Sequence, residues 1–151
     1  MNPPVLNVSA YRFVALDALE ARRRRLDDDA RAAGLKGTVL LAEEGINLFL
    51  AGEPGALRGW LARLREDAPF AGLDAKESWS DATPFKRLKV KVKREIIRMN
   101  MPAVRPQAGR APAIAPATLA RWLDQGHDDA GRPLVMLDTR NGFEVDAGAF
   151  D

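Results

Sequence analysis

The residues able to do chemistry are few in this chain and unevenly placed. Phe85-Lys86-Arg87-Leu88-Lys89-Val90-Lys91-Val92-Lys93-Arg94 interleaves cations with apolar side chains. At period two, Leu88, Val90 and Val92 take one face of a strand and Arg87, Lys89, Lys91 and Lys93 the other. Seven basic residues and one acid fall between Lys86 and Arg98, a local charge of +6 in a chain of net charge +2. The remainder is net acidic, so one segment carries the whole basic excess. Evenly spaced cations on a rigid strand contact phosphates and release counterions, which makes Lys86, Arg87, Lys89, Lys91, Lys93 and Arg94 the candidate residues for a polyanionic partner. The competing reading is edge protection, since lysines on an open strand edge block unwanted pairing. Tyr11, Phe13 and Phe85 have rings that would stack on bases, but they are expected in the core.

Other candidates are weaker. Glu43-Glu44-Gly45-Ile46-Asn47 groups two acids, a glycine and an amide. Adjacent strand residues point to opposite faces, so a turn is the ordinary reading and an acid–base pair the sharper one. Asp138-Thr139-Arg140 follows an apolar run, where a cap or a structural ion pair is the ordinary reading. The single histidine, His127, lies in a loop-like stretch, and the chain has no cysteine. Thiolate metal sites, disulfides and a cysteine nucleophile are therefore excluded within these residues, and no metal site is expected. No phosphate-cradling glycine loop or other cofactor motif is present. No apolar run approaches the ~20 residues of a membrane helix, and the start lacks the pattern of a signal peptide. A cytoplasmic location is the default expectation.

The elements that must position these residues follow from periodicity. The chain has 151 residues, 46% hydrophobic and 29% charged, ordinary for a globular protein. Val5 to Val14 predicts a first strand. Asp17 is the expected cap of a helix that runs to about Ala33, with Leu16, Leu19, Leu26, Ala30 and Ala33 on one stripe and Gly34 as its stop. Within it, Arg23, Arg24 and Arg25 each have an aspartate four residues on and are expected to pair with it on a solvated face. Lys36 to Ala42 and Ile46 to Ala51 predict two strands around a short turn. Pro54 opens a second helix, with Leu57, Trp60, Leu61 and Leu64 on its buried face, and Pro69 ends it. Leu73 to Ser80 predicts a weaker strand anchored by Trp79, and the lysine-bearing strand comes next.

This order is βαββαβ, the α+β ferredoxin-like arrangement of an antiparallel sheet with two helices on one face, over residues 1–98. Residues 99–115 hold a proline-rich linker. Residues 116–151 predict a helix from Pro116 to Gln125, stopped by Gly126, and a buried parallel strand, Leu134 to Asp138. One helix and one strand cannot cover both faces of a parallel sheet, so this segment is expected to be the opening of an incomplete domain. The fold invites comparison with acylphosphatase, whose phosphate loop after the first strand contains glycine. Ala10-Tyr11-Arg12-Phe13-Val14 has none, so that activity is not expected.

Three blocks taken together resemble the N-terminal domain of a bacterial family of rhodanese-related proteins: Val8 to Phe13, Lys36 to Asn47, and Phe85 to Lys91. Val135 to Val145 resembles the opening of the rhodanese domain. The resemblance implies a parent enzyme that uses oxygen to hydroxylate tRNA uridine 34, giving 5-hydroxyuridine. Its reactive cysteine would lie in a loop outside these residues, so no catalytic residue carries over. Asp138 and Arg140 match a segment that supports a rhodanese active site. By the same resemblance the N-terminal portion binds or positions tRNA, with the lysine stripe as the contact. The alternatives are a protein-interaction or dimerisation module, forming a homo-oligomer through the sheet edge, and sulfur transfer by the parent.

Overall fold

The computed structural model describes residues 4–98, 100–101, 103–109 and 111–149, without the side chain of Gln107. The chain divides into two compact units, residues 1–110 and 111–151.

The first unit is built on a five-stranded sheet. Its elements are β1 (Val5–Phe13), α1 (Leu19–Ala32), β2 (Lys36–Ala42), β3 (Gly45–Gly52), α2 (Pro54–Glu66), β4 (Ala75–Ser80) and β5 (Leu88–Val92). The strand order is β4-β1-β3-β2-β5. The first four strands pair antiparallel, as the ferredoxin-like arrangement requires. β5 adds a parallel pair with β2 at the edge, so the whole sheet is mixed.

Alternation decides which face is filled. Leu6 and Val8 of β1, Val39 and Leu41 of β2, and Ile46, Leu48 and Leu50 of β3 are all buried toward the helices. Leu26 and Ala30 of α1 and Leu57, Trp60, Leu61 and Leu64 of α2 close this core from one side. Each such leucine contributes ~1.5–3 kcal/mol by leaving water.

Gly45 follows a two-residue turn, at φ 149°, and a Cβ there would meet the carbonyl oxygen of Arg12 at 2.0 Å. The tight approach of β3 to the end of β1 thus requires glycine.

Several expectations need correction. Asp17 does not cap α1. The chain makes a left-handed turn at Ala18 (φ 46°), and the Asp17 carboxylate instead accepts from Arg22 at 3.1 Å. The three i,i+4 Arg–Asp pairs are replaced by others. Arg23 reaches back to Glu20 at 2.7 Å, Arg31 to Asp27 at 3.0 Å, and Arg22 and Arg25 converge on Asp67 beyond the end of α2. An acid N-terminal to its base is the better orientation on a helix, and Asp67 offers a second acceptor across the two helices.

β4 begins at Ala75, and Trp79 is 53% exposed rather than an anchor. It sits on an edge strand, where the Arg58 guanidinium lies 5.8 Å from its ring centroid. Leu73 and Phe70 fill the core at that end instead. β5 is also shorter than expected. Phe85 precedes it half-buried, and Val92 at its end is exposed, so only Val90 is sealed into the core.

In the second unit α3 (Pro116–Gln125) forms as the periodicity predicts, with Gly126 left-handed at φ 75° behind it. A short α4 (Gly142–Val145) follows. The strand expected over Leu134 to Asp138 does not form. Val135 is 90% exposed and Leu137 83% exposed, and among the described residues no strand lies beside them. A strand needs a partner for its ladder of hydrogen bonds, and among the described residues the run finds only the carbonyl of Gly126, which accepts from Leu134 N–H at 3.3 Å.

Candidate nucleic-acid interface

The lysine stripe is held by β5 and its flanks. Its register sets Val90 beside the buried Val39, and so turns Lys89 (beside Thr38) and Lys91 (beside Leu40) to the face opposite the helices. The backbone ties extend past the strand at both ends. The carbonyl of Arg87 accepts from Gly37 N–H at 3.1 Å, and Lys93 N–H donates to the carbonyl of Leu41 at 2.8 Å. Lys86, Arg87, Lys91, Lys93 and Arg94 are exposed and Lys89 is half-buried.

None of these six cations makes an ion pair among the described residues. Elsewhere several arginines are neutralised, although Arg12, Arg24, Arg63 and Arg65 also lack an ion pair among the described residues. Arg58 pairs with Glu77 at 2.6 Å, Arg121 with Asp129 at 2.5 Å, and Arg22 and Arg25 share Asp67. Six unpaired cations thus lie together on one edge, along a strand whose backbone is fixed.

The face those lysines share lies opposite the helices. Across one row of the sheet run Lys76, Ser9, Phe49, Thr38 and Lys89. Across the next run Tyr11, Asn47, Leu40 and Lys91. Tyr11 and Phe49 are each 51% exposed. Phe13 is half-buried and packs edge-to-face on Tyr11, with ring centroids 6.0 Å apart. The expectation that Tyr11 and Phe13 belong to the core is therefore wrong. Even-numbered β1 residues from Leu6 to Ala10 face the helices, so the odd-numbered rings face away. A cavity of about 560 Å³ lies over this part of the sheet, lined by Tyr11, Phe13, Asn47, Phe49, Lys76 and Pro106 among others. The sequence reading missed Phe49 and Lys76, and took Asn47 only as the amide of the Glu43 to Asn47 turn. The signal was available in β3, where Ile46, Leu48 and Leu50 fix the buried face and leave Asn47 and Phe49 on the other.

The two carboxylates of the β2–β3 turn do not work as a pair. Glu43 is exposed, whereas Glu44 accepts from the backbone N–H of Ile96 at 2.7 Å and pins the chain leaving β5. The loop after β1 offers no free amide cradle at its start, because Val14 and Leu16 donate to the carbonyls of Glu44 and Glu43 at 2.9 Å.

In the second unit Asp138 and Arg140 do come together. The guanidinium Nη2 meets Asp138 Oδ2 at 2.6 Å, and the backbone N–H of Arg140 donates to Oδ1 at 3.0 Å. These bonds from Arg140 hold the Asp138 carboxyl below its ordinary range. Arg140 also donates to the carbonyl of Gly148 at 3.0 Å, which closes the turn around α4. His127 is exposed, and its Nδ1 lies 2.9 Å from the Asp128 carbonyl.

Comparison with known proteins gives this geometry a family. Residues 5–96 match the family model described as the UPF0176 acylphosphatase like domain. The tRNA uridine(34) hydroxylase of Bordetella petrii is 62% identical over 149 residues, covering 99% of this chain and 59% of that protein. The tRNA uridine(34) hydroxylase of Variovorax paradoxus is 60% identical over 147 residues, covering 97% of this chain and 56% of that protein. The chain thus spans somewhat over half the length of these curated relatives. Among solved structures, the acylphosphatase from Bacillus subtilis is similar at a TM-score of 0.42 and 14% identity, over 59% of this chain and 99% of that one. No helix among the described residues is long and apolar enough to cross a membrane.

Proposed function

Because this chain belongs to the UPF0176 acylphosphatase-like domain family, we propose that it is the tRNA-binding or tRNA-positioning portion of a cytoplasmic enzyme that hydroxylates uridine 34. The observation that carries this reading is the run of six cations from Lys86 to Arg94, adjacent on one edge and unpaired among the described residues, while Arg22, Arg23, Arg25, Arg31 and Arg58 of the two helices find acids. A charge left in water by the fold is available to a phosphate without first breaking a salt bridge. The whole protein would use oxygen to convert the uridine to 5-hydroxyuridine, as the sequence resemblance implies. No residue of this chain is given a catalytic role, since it has no cysteine. Asp138 and Arg140 would support the neighbouring active site, their mutual hydrogen bonds setting the turn before α4.

The test is a titration of the 151-residue chain with tRNA at low and moderate salt. Binding that weakens several-fold as salt rises is expected. Absence of binding at low salt would overturn the proposal.

A second reading rests on the place of β5 as the outermost strand, where lysines also serve to block pairing. In it the domain is an interaction or dimerisation module of a rhodanese-type sulfurtransferase. It predicts no tRNA binding, and thiosulfate cleavage by the parent protein.

A further inference from the structure

We propose that the open face of the sheet is a stacking platform for unpaired RNA nucleotides, with Tyr11 and Phe49 as its two rings. This deepens the tRNA-binding reading and rests on it. Three observations carry it. First, Tyr11 and Phe49 project from adjacent strands on the face opposite the helices, each 51% exposed. Phe49 pairs with Ser9 and Asn47 with Tyr11, so the two rings are diagonal neighbours, ~7–8 Å apart along the sheet. Aromatic rings left half in water on a rigid sheet accept bases of any sequence by stacking.

Second, cations flank the rings within the same rows. Phe49 has Lys76 two strands away on one side and Lys89 two strands away on the other, each ~10 Å distant. A base on Phe49 would thus have a cation on either side for its backbone phosphates. Third, the face is a cavity and not a flat wall. Pro106 and Gly109 border the space over the rings, and Asn47 offers a side-chain amide for a base edge. Asp74 also lines it and is the one acid there, against Lys76 and Arg12.

The charge decides the occupant. A protein surface would match an uncharged apolar patch, whereas here Ser9 and Asn47 take the other corners of the diagonal pair and lysines border the rows. A single strand of RNA supplies both the bases and the anions. A duplex hides its base faces and gains nothing from the rings.

The experiment titrates the full chain with a fluorescent ten-nucleotide oligouridylate, with a duplex RNA of equal length, and with tRNA. The variant is Tyr11→Leu with Phe49→Leu, which keeps apolar bulk and removes the ring faces. Trp79→Leu is the control, since that exposed ring lies on another strand and on the other face. Circular dichroism confirms that each variant is folded. Stacking losses of ~5- to 150-fold per ring are expected for the single strand. Duplex affinity, and the salt dependence set by the lysines, should stay as in the parent chain. Unchanged single-strand affinity with salt dependence retained would overturn the platform and leave the lysine reading standing. A parent chain that binds no RNA at low salt would overturn both. A parent chain that sediments as a dimer, and a ring variant that sediments as a monomer, would assign the face to a second copy and overturn the platform.

Discussion

Replacing Lys89 and Lys91 together by glutamine removes two charges while keeping the length of the side chains and the ladder of β5. Val90 between them stays buried beside Val39, and neither lysine has an ion pair among the described residues, so stability should move by less than ~0.5 kcal/mol. The effect on RNA can be worked from the geometry. Lys89, Lys91 and Lys93 alternate with core-facing positions and share one face. Three phosphate contacts at ~0.7 each give a slope of log affinity against log salt of about −2. A rise from about 50 to 200 mM salt then weakens tRNA binding roughly 20-fold, and only about 3-fold once two contacts are gone. The assay is fluorescence anisotropy with labelled tRNA at four salt concentrations, on both proteins, with thermal melting alongside. A double variant whose slope equals that of the parent chain would refute the assignment of phosphates to this strand, even if its affinity had fallen.

Two further predictions test how the platform is held. Gly45→Ala sets a Cβ at 2.0 Å from the Arg12 carbonyl oxygen, backbone against backbone at φ 149°, so the β1–β3 register must break. A loss of at least ~3 kcal/mol is expected in urea denaturation, and a change below ~1 kcal/mol would show that this approach is not obligatory. Glu53 caps α2 by accepting from Gly55 and Ala56 at 3.0 and 2.7 Å, and these bonds, that from Gly55 first, hold its pKa below 4.5. A carboxyl lowered in the folded state stabilises above its unfolded pKa and loses that contribution as pH falls through the folded value. The melting temperature of the parent chain should therefore drop more between pH 5 and pH 3 than that of Glu53→Gln; parallel curves would count against the cap.

Apolar spacing was enough to read the helix-facing half of this protein. Leu57, Trp60, Leu61 and Leu64 recur at helical spacing, and Val39, Leu41, Ile46, Leu48 and Leu50 alternate at period two; each is buried in the structure. The ferredoxin-like arrangement was read from the βαββαβ order of these segments, whose apolar stripes must be buried against a common sheet. The lysine alternation around Val90 was legible for the same reason. What chain order does not carry is which strands become neighbours. Asp67 meets Arg22 and Arg25 only because the end of α2 is folded against α1, so local i,i+4 spacing named the wrong partners. Trp79 reads as a core residue by type, yet β4 is an edge strand, and an edge strand has a neighbour on one side only. Tyr11, Phe49, Lys76 and Lys89 are far apart in the chain and become one surface through the pairing of five strands. The apolar run from Leu134 to Leu137 has strand composition but no strand beside it among the described residues, and Val135, Met136 and Leu137 remain exposed. Side-chain type and period fix which face of an element seeks cover; cover itself is a long-range contact, and only the tertiary structure supplies it.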